Sequence, residues 1–260
     1  MTDESDDETA PNRVKSTRTL FTIVEELRGV ESAGVSELAD RLGMPKSTVH
    51  VHLKTLEEEG YLMNNEGNYR LGFGFLEVGG EVRQRLDVFR SARSELDAFS
   101  MEVGEVTHLG IEERGKRVLV YSSHPAGGVF DDSPVGHRTN MHWTALGKAL
   151  LAQLSDERIA AILDTHGLPE ATESTITDRD ALYAELETVR ERGYAVGDGE
   201  HRDGIKTIAM ALDHGGARDV LSAIGLSGPT HRIERKNADD ELVEAVRQAA
   251  NVVELTSEHY

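Results

Sequence analysis

Two groups of residues in this chain have types and spacings that could do chemistry. The first lies between Pro45 and Glu59, where Lys46, Ser47, Thr48, His50, Val51 and Lys54 surround Val49, Leu53 and Leu56. Val49, Leu53 and Leu56 follow the i, i+4, i+7 spacing of a helix face packed on a core, which leaves the other six facing outward. Hydroxyls and short side chains allow close approach to base edges, and two ammonium groups can meet phosphates, so the set suits the major groove of double-stranded DNA. An amphipathic surface helix would carry the same stripe, so the surrounding elements have to decide.

The second group is dispersed. His137 and His142 with His124 nearby, and Glu200 beside His201, raise the question of a metal site, but neither has the i, i+4 helical spacing of a zincin, and a chain without cysteine offers no thiolate. Surface or pocket-lining histidines are the expected account. Ser122-Ser123-His124 and Ser227 invite a hydrolase reading, but there is no G-x-S-x-G elbow and no base or orienting acid assigned to Ser227. Gly72-x-Gly74 lacks the third glycine and preceding parallel strand of a nucleotide fingerprint. The expectation is a protein that is not an enzyme, with no catalytic residue, no metal and no cofactor.

The elements that must position the first group read as a helix, a tight turn, a second helix and a wing, over Ser36 to Arg70. Leu20, Ile23, Val24 and Leu27 form one apolar helix face with Gly29 as its stop, and Val35, Leu38, Ala39 and Leu42 form a second, with Ser36 as expected N-cap. Gly43 can end that helix in the left-handed conformation, and Pro45 opens the next. Tyr61-Leu62-Met63 and Asn68-Tyr69-Arg70-Leu71 flank Asn64-Asn65-Glu66-Gly67, a strand–turn–strand pattern that places Arg70 near a flanking phosphate or the minor groove. With a wing behind three short helices, the groove-reading account of Lys46 to Lys54 prevails.

From Gly72 to about Gly104 the pattern is helical, with Phe75, Leu76, Val88, Ala92, Leu96 and Phe99 recurring, as a linker that pairs two copies would show. After Thr107 the period changes. His108–Ile111 and Val118–Tyr121 read as strands about a turn at Arg114-Gly115. Helices are expected over Thr144–Leu154, Asp156–His166, Asp178–Arg192 and Asp239–Glu254, and strands near Tyr194–Glu200, Thr207–Leu212 and Val220–Leu226. That is an α+β domain with a ligand-sized pocket on one face. Thr144 can cap its helix, and Gly225 and Gly228 let backbone approach a ligand closely, although tight turns and packing explain glycines equally well.

The net charge of −19, from 47 acidic and 28 basic residues, has the wrong sign for a DNA-binding protein, but it is unevenly spread. Residues 1–11 hold five acids and no base, while residues 12–71 hold nine acids against eight bases, so the reading segment is nearly neutral. Such acidity suits a potassium-rich, halophilic cytoplasm in which salt screens like-charge repulsion. No apolar run reaches the ~20 residues that span a bilayer, and the N-terminus is acidic where a secretory signal is basic, so a cytoplasmic location and no membrane partner are expected. Residues 1–12 read as a disordered acidic tail.

LADRLGMPKSTVHVHLKTLEEEGY followed by YRLGFGFLEVGG resembles the IclR-type transcriptional regulators over roughly Val14 to Gly80, and TALGKALLA, TITD, RGYAVGDGEHRDGIKTIA and AIGLSGP extend the resemblance to about Ala250. The resemblance implies a GAF-like effector-binding domain that takes a small metabolite, such as a carboxylate, an aromatic acid or a sugar derivative. Carried over position by position, it implies a pocket lined by Ala145, Leu146, Asp198, Glu200, Thr207, Gly225 and Ser227. Two positions depart from a relative with a carboxylate effector: Thr207 stands for a cysteine and Gly225 for a serine, which removes one donor. In the head, the family usually continues STVH with Arg-Leu-Leu, whereas Val51-His52-Leu53 follow here; an arginine contact is absent, and Val51 is suited to a thymine methyl.

The expected organisation is therefore a tail at 1–12, a winged helix-turn-helix domain at 13–74, linker and dimerisation helices at 75–104 and an α+β effector-binding domain at 105–260. The expected partners are operator DNA, a small-molecule effector and a second copy of the chain, as a homodimer or tetramer. The expected function is a DNA-binding regulator of a catabolic operon for sugars, sugar acids or aromatic acids. Two alternatives are a regulator whose C-terminal domain only assembles it, and a metabolite-handling enzyme with a vestigial head.

Overall fold

A computed structural model of the chain describes residues 14–125, 133–213, 220–236 and 240–257, so the acidic tail lies outside the described residues. The chain divides into two compact units, Met1–Val82 and Arg83–Tyr260.

In the first unit α1 (Lys15–Arg28), α2 (Val35–Leu42) and α3 (Lys46–Glu58) enclose a core of Ile23, Leu27, Leu38, Val49, Leu53 and Leu56. Three strands, β1 (Ala33–Gly34), β2 (Leu62–Asn65) and β3 (Asn68–Leu71), form an antiparallel sheet in the order β1-β3-β2. Gly43 takes φ +62°, the left-handed conformation that stops α2, and the Met44 N–H closes the turn on Ala39 O at 2.9 Å. Ser36 is not the N-cap. Ala33 and Gly34 pair with Tyr69 and Asn68, and this strand pairing sets the start of α2 at Val35 with Gly34 as the boundary residue. At the wing tip Glu66 and Gly67 both have positive φ, as a two-residue hairpin turn of type I′ requires, and Asn64 Oδ1 accepts from the Gly67 N–H at 2.9 Å. The left-handed position thus falls to Glu66, with Asn64 fastening the turn from its flank.

In the second unit α5 (Asp87–Val103) follows α4 (Gly74–Gln84), which straddles the division between the units. α4 has no buried residue and exposes Leu76, Val78 and Val82, whereas α5 buries Val88, Phe89, Ala92, Leu96 and Phe99 in the second unit's core. The remaining strands are β4 (Val106–Glu113), β5 (Lys116–Ser123), β6 (Arg138–Asn140), β7 (Ala195–Asp198), β8 (Ile205–Ala211) and β9 (Ser222–Pro229). They make one antiparallel sheet in the order β6-β5-β4-β9-β8-β7. α6 (Ala145–Leu151), α7 (Asp156–His166) and α8 (Arg179–Arg192) cover one face, and α5 with α10 (Glu241–Ser257) cover the other. Alternation along the strands sorts the two cores: Ile208, Met210, Ile224 and Leu226 point to α5 and α10, and Ala195, Ala209 and Ala223 to α6–α8. The architecture is α+β, a winged helix-turn-helix unit and a sheet covered by helices on both faces. The short β1, β6 and α9 (Thr230–Lys236) had no counterpart among the expected elements.

Candidate functional site

α3 buries Val49, Leu53 and Leu56 and leaves Lys46, Ser47, His50, Val51 and Lys54 exposed, with Thr48 and His52 half-buried. Val51 is 61% exposed, a bare apolar side chain amid polar ones. Lys54 pairs with Glu57 at 3.2 Å, and that hydrogen bond raises its pKa. Arg70 is exposed on β3, across from Met63 of β2, so the wing carries a cation beside an exposed thioether. Arg41 is held by Glu37 at 2.7 Å and Glu26 at 3.1 Å, which ties α2 to α1. Of the expected DNA-facing residues, Lys46, Ser47, His50, Val51 and Lys54 share one helix surface and Arg70 stands on a separate element.

The second unit contains a cavity of about 350 Å³ on the α6 face of its sheet. Its floor is built from strand residues of one alternation set, His108 of β4, Ser227 of β9, Thr207 of β8 and Gly197 of β7. His108 is clamped between two serines, Nδ1 to Ser122 Oγ at 2.7 Å and Nε2 to Ser227 Oγ at 2.6 Å. A neutral imidazole has one donor and one acceptor nitrogen, so its tautomer decides what Ser227 offers. With the proton on Nε2, Ser227 accepts from histidine and its own hydroxyl hydrogen is free for a ligand oxygen. With the proton on Nδ1, Ser227 must donate to the ring. An oxygen-bearing ligand selects the first arrangement.

Arg117 reaches the cavity from β5 across β4. Its stem lies over Gly110, where an added Cβ would sit 3.0 Å from Arg117 Cδ and 3.0 Å from Leu146 Cδ2. A side chain at 110 would therefore push against the Arg117 stem or Leu146. At the opposite end, the turn between β7 and β8 carries His201 and Arg202 to the cavity. That turn is anchored from behind. Thr172 Oγ1 donates to Gly199 O at 2.7 Å, Thr175 Oγ1 donates to Glu200 O at 2.7 Å, and the Lys148 ammonium meets Glu200 Oε1 at 2.6 Å. Lys148 is 1% exposed, and burial pushes the Glu200 carboxyl above its ordinary pKa, opposed by the charge of Lys148. Trp143 lines the cavity between His142 and His201, with ring centroids 5.3 Å and 5.9 Å away. Thr144 caps α6, its Oγ1 accepting from the Gly147 N–H at 3.0 Å.

Of the expected effector-lining residues, Ala145, Leu146, Thr207 and Ser227 line this cavity together. Asp198, Glu200 and Gly225 lie elsewhere. Asp198 is one strand position beyond Gly197 and so faces the other way, pairing with Lys206 at 2.9 Å and accepting from Thr230 Oγ1 at 3.2 Å. Glu200 is turned to Lys148. Gly225 answers to strand packing, because a Cβ there would run into Ile208 O and Ala209. His108, Arg117, Trp143 and Arg202 line the cavity without having been singled out, and His137 and His201 do so as the pocket-lining histidines weighed against a metal site. His142 is instead held by Pro169 O at 3.0 Å, and burial lowers its pKa. Among the described residues no three histidine or acidic side chains gather as metal ligands, and no helix is long and apolar enough to cross a membrane.

The family model for the C-terminal domain of the bacterial transcriptional regulator IclR matches residues 80–255, and that for the IclR helix-turn-helix domain matches residues 21–66. The chain is 28% identical over 252 residues to a Halobacterium salinarum protein named "Probable HTH-type transcriptional regulator ArcR", covering 95% of each. It is 32% identical over 202 residues to the HTH-type transcriptional regulator XynR of Escherichia coli, covering 77% of this chain and 80% of that protein. In fold it is similar to the crystal structure of an IclR homologue from Microbacterium hydrocarbonoxydans complexed with 4-hydroxybenzoate, with TM-score 0.81 and 23% identity over 95% of this chain and all of that one (100%).

Proposed function

The chain belongs to the IclR family of transcriptional regulators, and from that premise we propose that it binds operator DNA through α3 and the wing and adjusts that binding to a small acid held in the second unit's cavity. The observation that carries the reading is that one chain joins an exposed, groove-suited helix face to a separate ligand-sized cavity lined by basic and hydroxyl side chains. Lys46, Lys54 and Arg70 meet phosphates, and Ser47, Thr48, His50 and Val51 read base edges.

Homodimeric heads would engage a pseudo-palindromic site with half-sites about one helical turn apart. The effector changes operator affinity only by the difference between its affinities for the DNA-competent arrangement and its alternative. The similarity to HTH-type transcriptional regulators supports DNA binding, and the 4-hydroxybenzoate complex of one homologue supports a small-molecule effector; on this reading the protein acts in the cytoplasm on a catabolic operon.

The test is a gel-shift titration on the DNA upstream of the regulator's own gene, with random DNA as competitor. Lys46→Ala weakens binding to both DNAs and reduces the log–log salt slope by about 1, whereas His50→Ala alters preference among sequences. Equal losses on both DNAs for both variants would refute the division of labour. Absence of any preference for the upstream DNA in the native chain would refute operator recognition there.

A further inference from the structure

Trp143 is the one tryptophan in the chain, and its Nε1 is buried without a hydrogen-bond partner among the described residues although the side chain lines the cavity. Indole can only donate, and a buried donor without an acceptor costs about 1–3 kcal/mol. The ring cannot readily turn to find one. His142 and His201 flank it, and His142 is itself fixed on Pro169 O at 3.0 Å. Nothing among the described residues accepts from this N–H, so an acceptor brought by a ligand is what would satisfy it.

The rest of the lining repeats the same preference. Arg117 and Arg202 can donate, Thr207 carries a hydroxyl, and Ser227 can donate when His108 carries its proton on Nε2. The apolar part of the lining is Ala145, Leu146, Ile205 and the ring of Trp143, and most other lining side chains are polar. A planar aromatic acid carries acceptors only at its ends, which leaves donors along the rest of the wall unanswered. At the ~30 Å³ that a water molecule occupies in the liquid, 350 Å³ holds about a dozen oxygen- or carbon-sized groups. A five- or six-carbon acid with an oxygen on most of its carbons has that size and carries acceptors along its whole length.

We propose that the cavity takes an oxygen-rich aliphatic acid of the aldonate class, and that the Trp143 indole N–H donates to one of its oxygens and so selects it over an aromatic acid. The proposal rests on the effector-binding reading given above. Trp143 is a binding and specificity-determining residue, and because it is the one tryptophan its emission reports directly on the cavity.

The full chain is titrated calorimetrically with D-xylonate, D-gluconate, 4-hydroxybenzoate and uncharged D-xylose, with Trp143 emission followed in parallel. An aldonate binds saturably and shifts the emission, while D-xylose and 4-hydroxybenzoate bind at least tenfold more weakly. Trp143→Phe keeps the ring and loses the N–H. It binds the aldonate at least tenfold more weakly, and without ligand it melts no lower than the native chain, because the unsatisfied donor is gone.

Tighter binding of 4-hydroxybenzoate than of either aldonate, or unchanged aldonate affinity in Trp143→Phe, overturns the proposal. In those cases the regulator reading survives if the acid that does bind alters the operator gel shift. If none of the acids binds, the proposal falls, and the effector half of the regulator reading falls if a wider set of acids also leaves melting temperature and gel shift unchanged.

Discussion

Replacing Lys148 with methionine should expose how the turn beneath the cavity is held. Lys148 is 1% exposed and bridges Glu200 at 2.6 Å and Glu185 at 3.3 Å. Methionine fills similar space without charge. Glu185 keeps a cation, because Arg192 meets it at 3.1 Å. Glu200 has no second cation among the described residues, and its Oε2 has no hydrogen-bond partner among them. Removing one member of a buried pair costs about 3–5 kcal/mol, and the half-exposed Glu185 with its second cation argues for the lower end, about 3 kcal/mol. For a unit of this size that lowers the melting temperature by about 6–12 °C.

The pH dependence distinguishes this from simple loss of packing. Burial already raises the Glu200 pKa, and Lys148 is the main influence opposing it. A carboxyl that binds its proton more readily when folded than when unfolded contributes stability that is present at low pH and lost as pH rises through the folded value. Removing Lys148 raises that value further, so Lys148→Met is destabilised far more at pH 8 than at pH 5. Lys148→Met combined with Glu200→Gln recovers most of the loss and its pH dependence. Urea unfolding at both pH values, followed by the emission of Trp143, which lies in the same unit, reads this out. Equal destabilisation at pH 5 and pH 8, or a double variant no more stable than Lys148→Met, would refute the charge-based account.

Gly110→Ala forces the Arg117 stem or Leu146 to shift, since both lie 3.0 Å from the new Cβ. The expected result is a stability cost of about 1–3 kcal/mol together with weaker binding of the cavity ligand by calorimetry, and unchanged affinity would mean that Gly110 does not orient Arg117. Glu66→Asn places at φ +51° a residue that tolerates the left-handed region, and should stabilise the wing by about 0.5–1 kcal/mol. Thermal melts of the full chain check this, and a lower melting temperature would contradict the assignment of backbone strain to Glu66.

α3 was legible because its information is local. Val49, Leu53 and Leu56 share one face at helical period, and Gly43 stops the preceding helix by its own backbone freedom. The start of α2 was not, because it is fixed by the pairing of Ala33 with Tyr69, a contact no window around Ser36 contains. The cavity shows the same limit. Ala145, Leu146, Thr207 and Ser227 came through the family resemblance. His108 and Arg117 sit in strands whose pattern announces a strand without saying which face meets a ligand. Asp198 was misplaced by one position of a two-residue period, and Glu200 by a partner 52 residues away in sequence.

The charge of the head bears on how the proposed operator binding would depend on salt. In the first unit Arg28 is engaged by Glu25, Arg41 by Glu26 and Glu37, and Lys54 by Glu57. At the groove-facing positions this leaves Lys46 and Arg70 as the exposed cations without an ion pair among the described residues. If those two, with Lys54, make the phosphate contacts of each head as proposed above, the salt slope per head is about −2.7, against the 6–10 phosphate contacts that cost other proteins ~10³–10⁵ in affinity between dilute and moderate salt. A head built this way draws less of its affinity from counterion release. The remainder would have to come from contacts that salt does not screen, a part that the proposed base contacts of the Ser47 and Thr48 hydroxyls and the exposed methyls of Val51 would fill. If α3 reads DNA as proposed, Val51, standing where the resembling family usually has an arginine, and the acidic remainder of the chain would both lower the dependence of DNA binding on charge, as the expected salt-rich surroundings would favour.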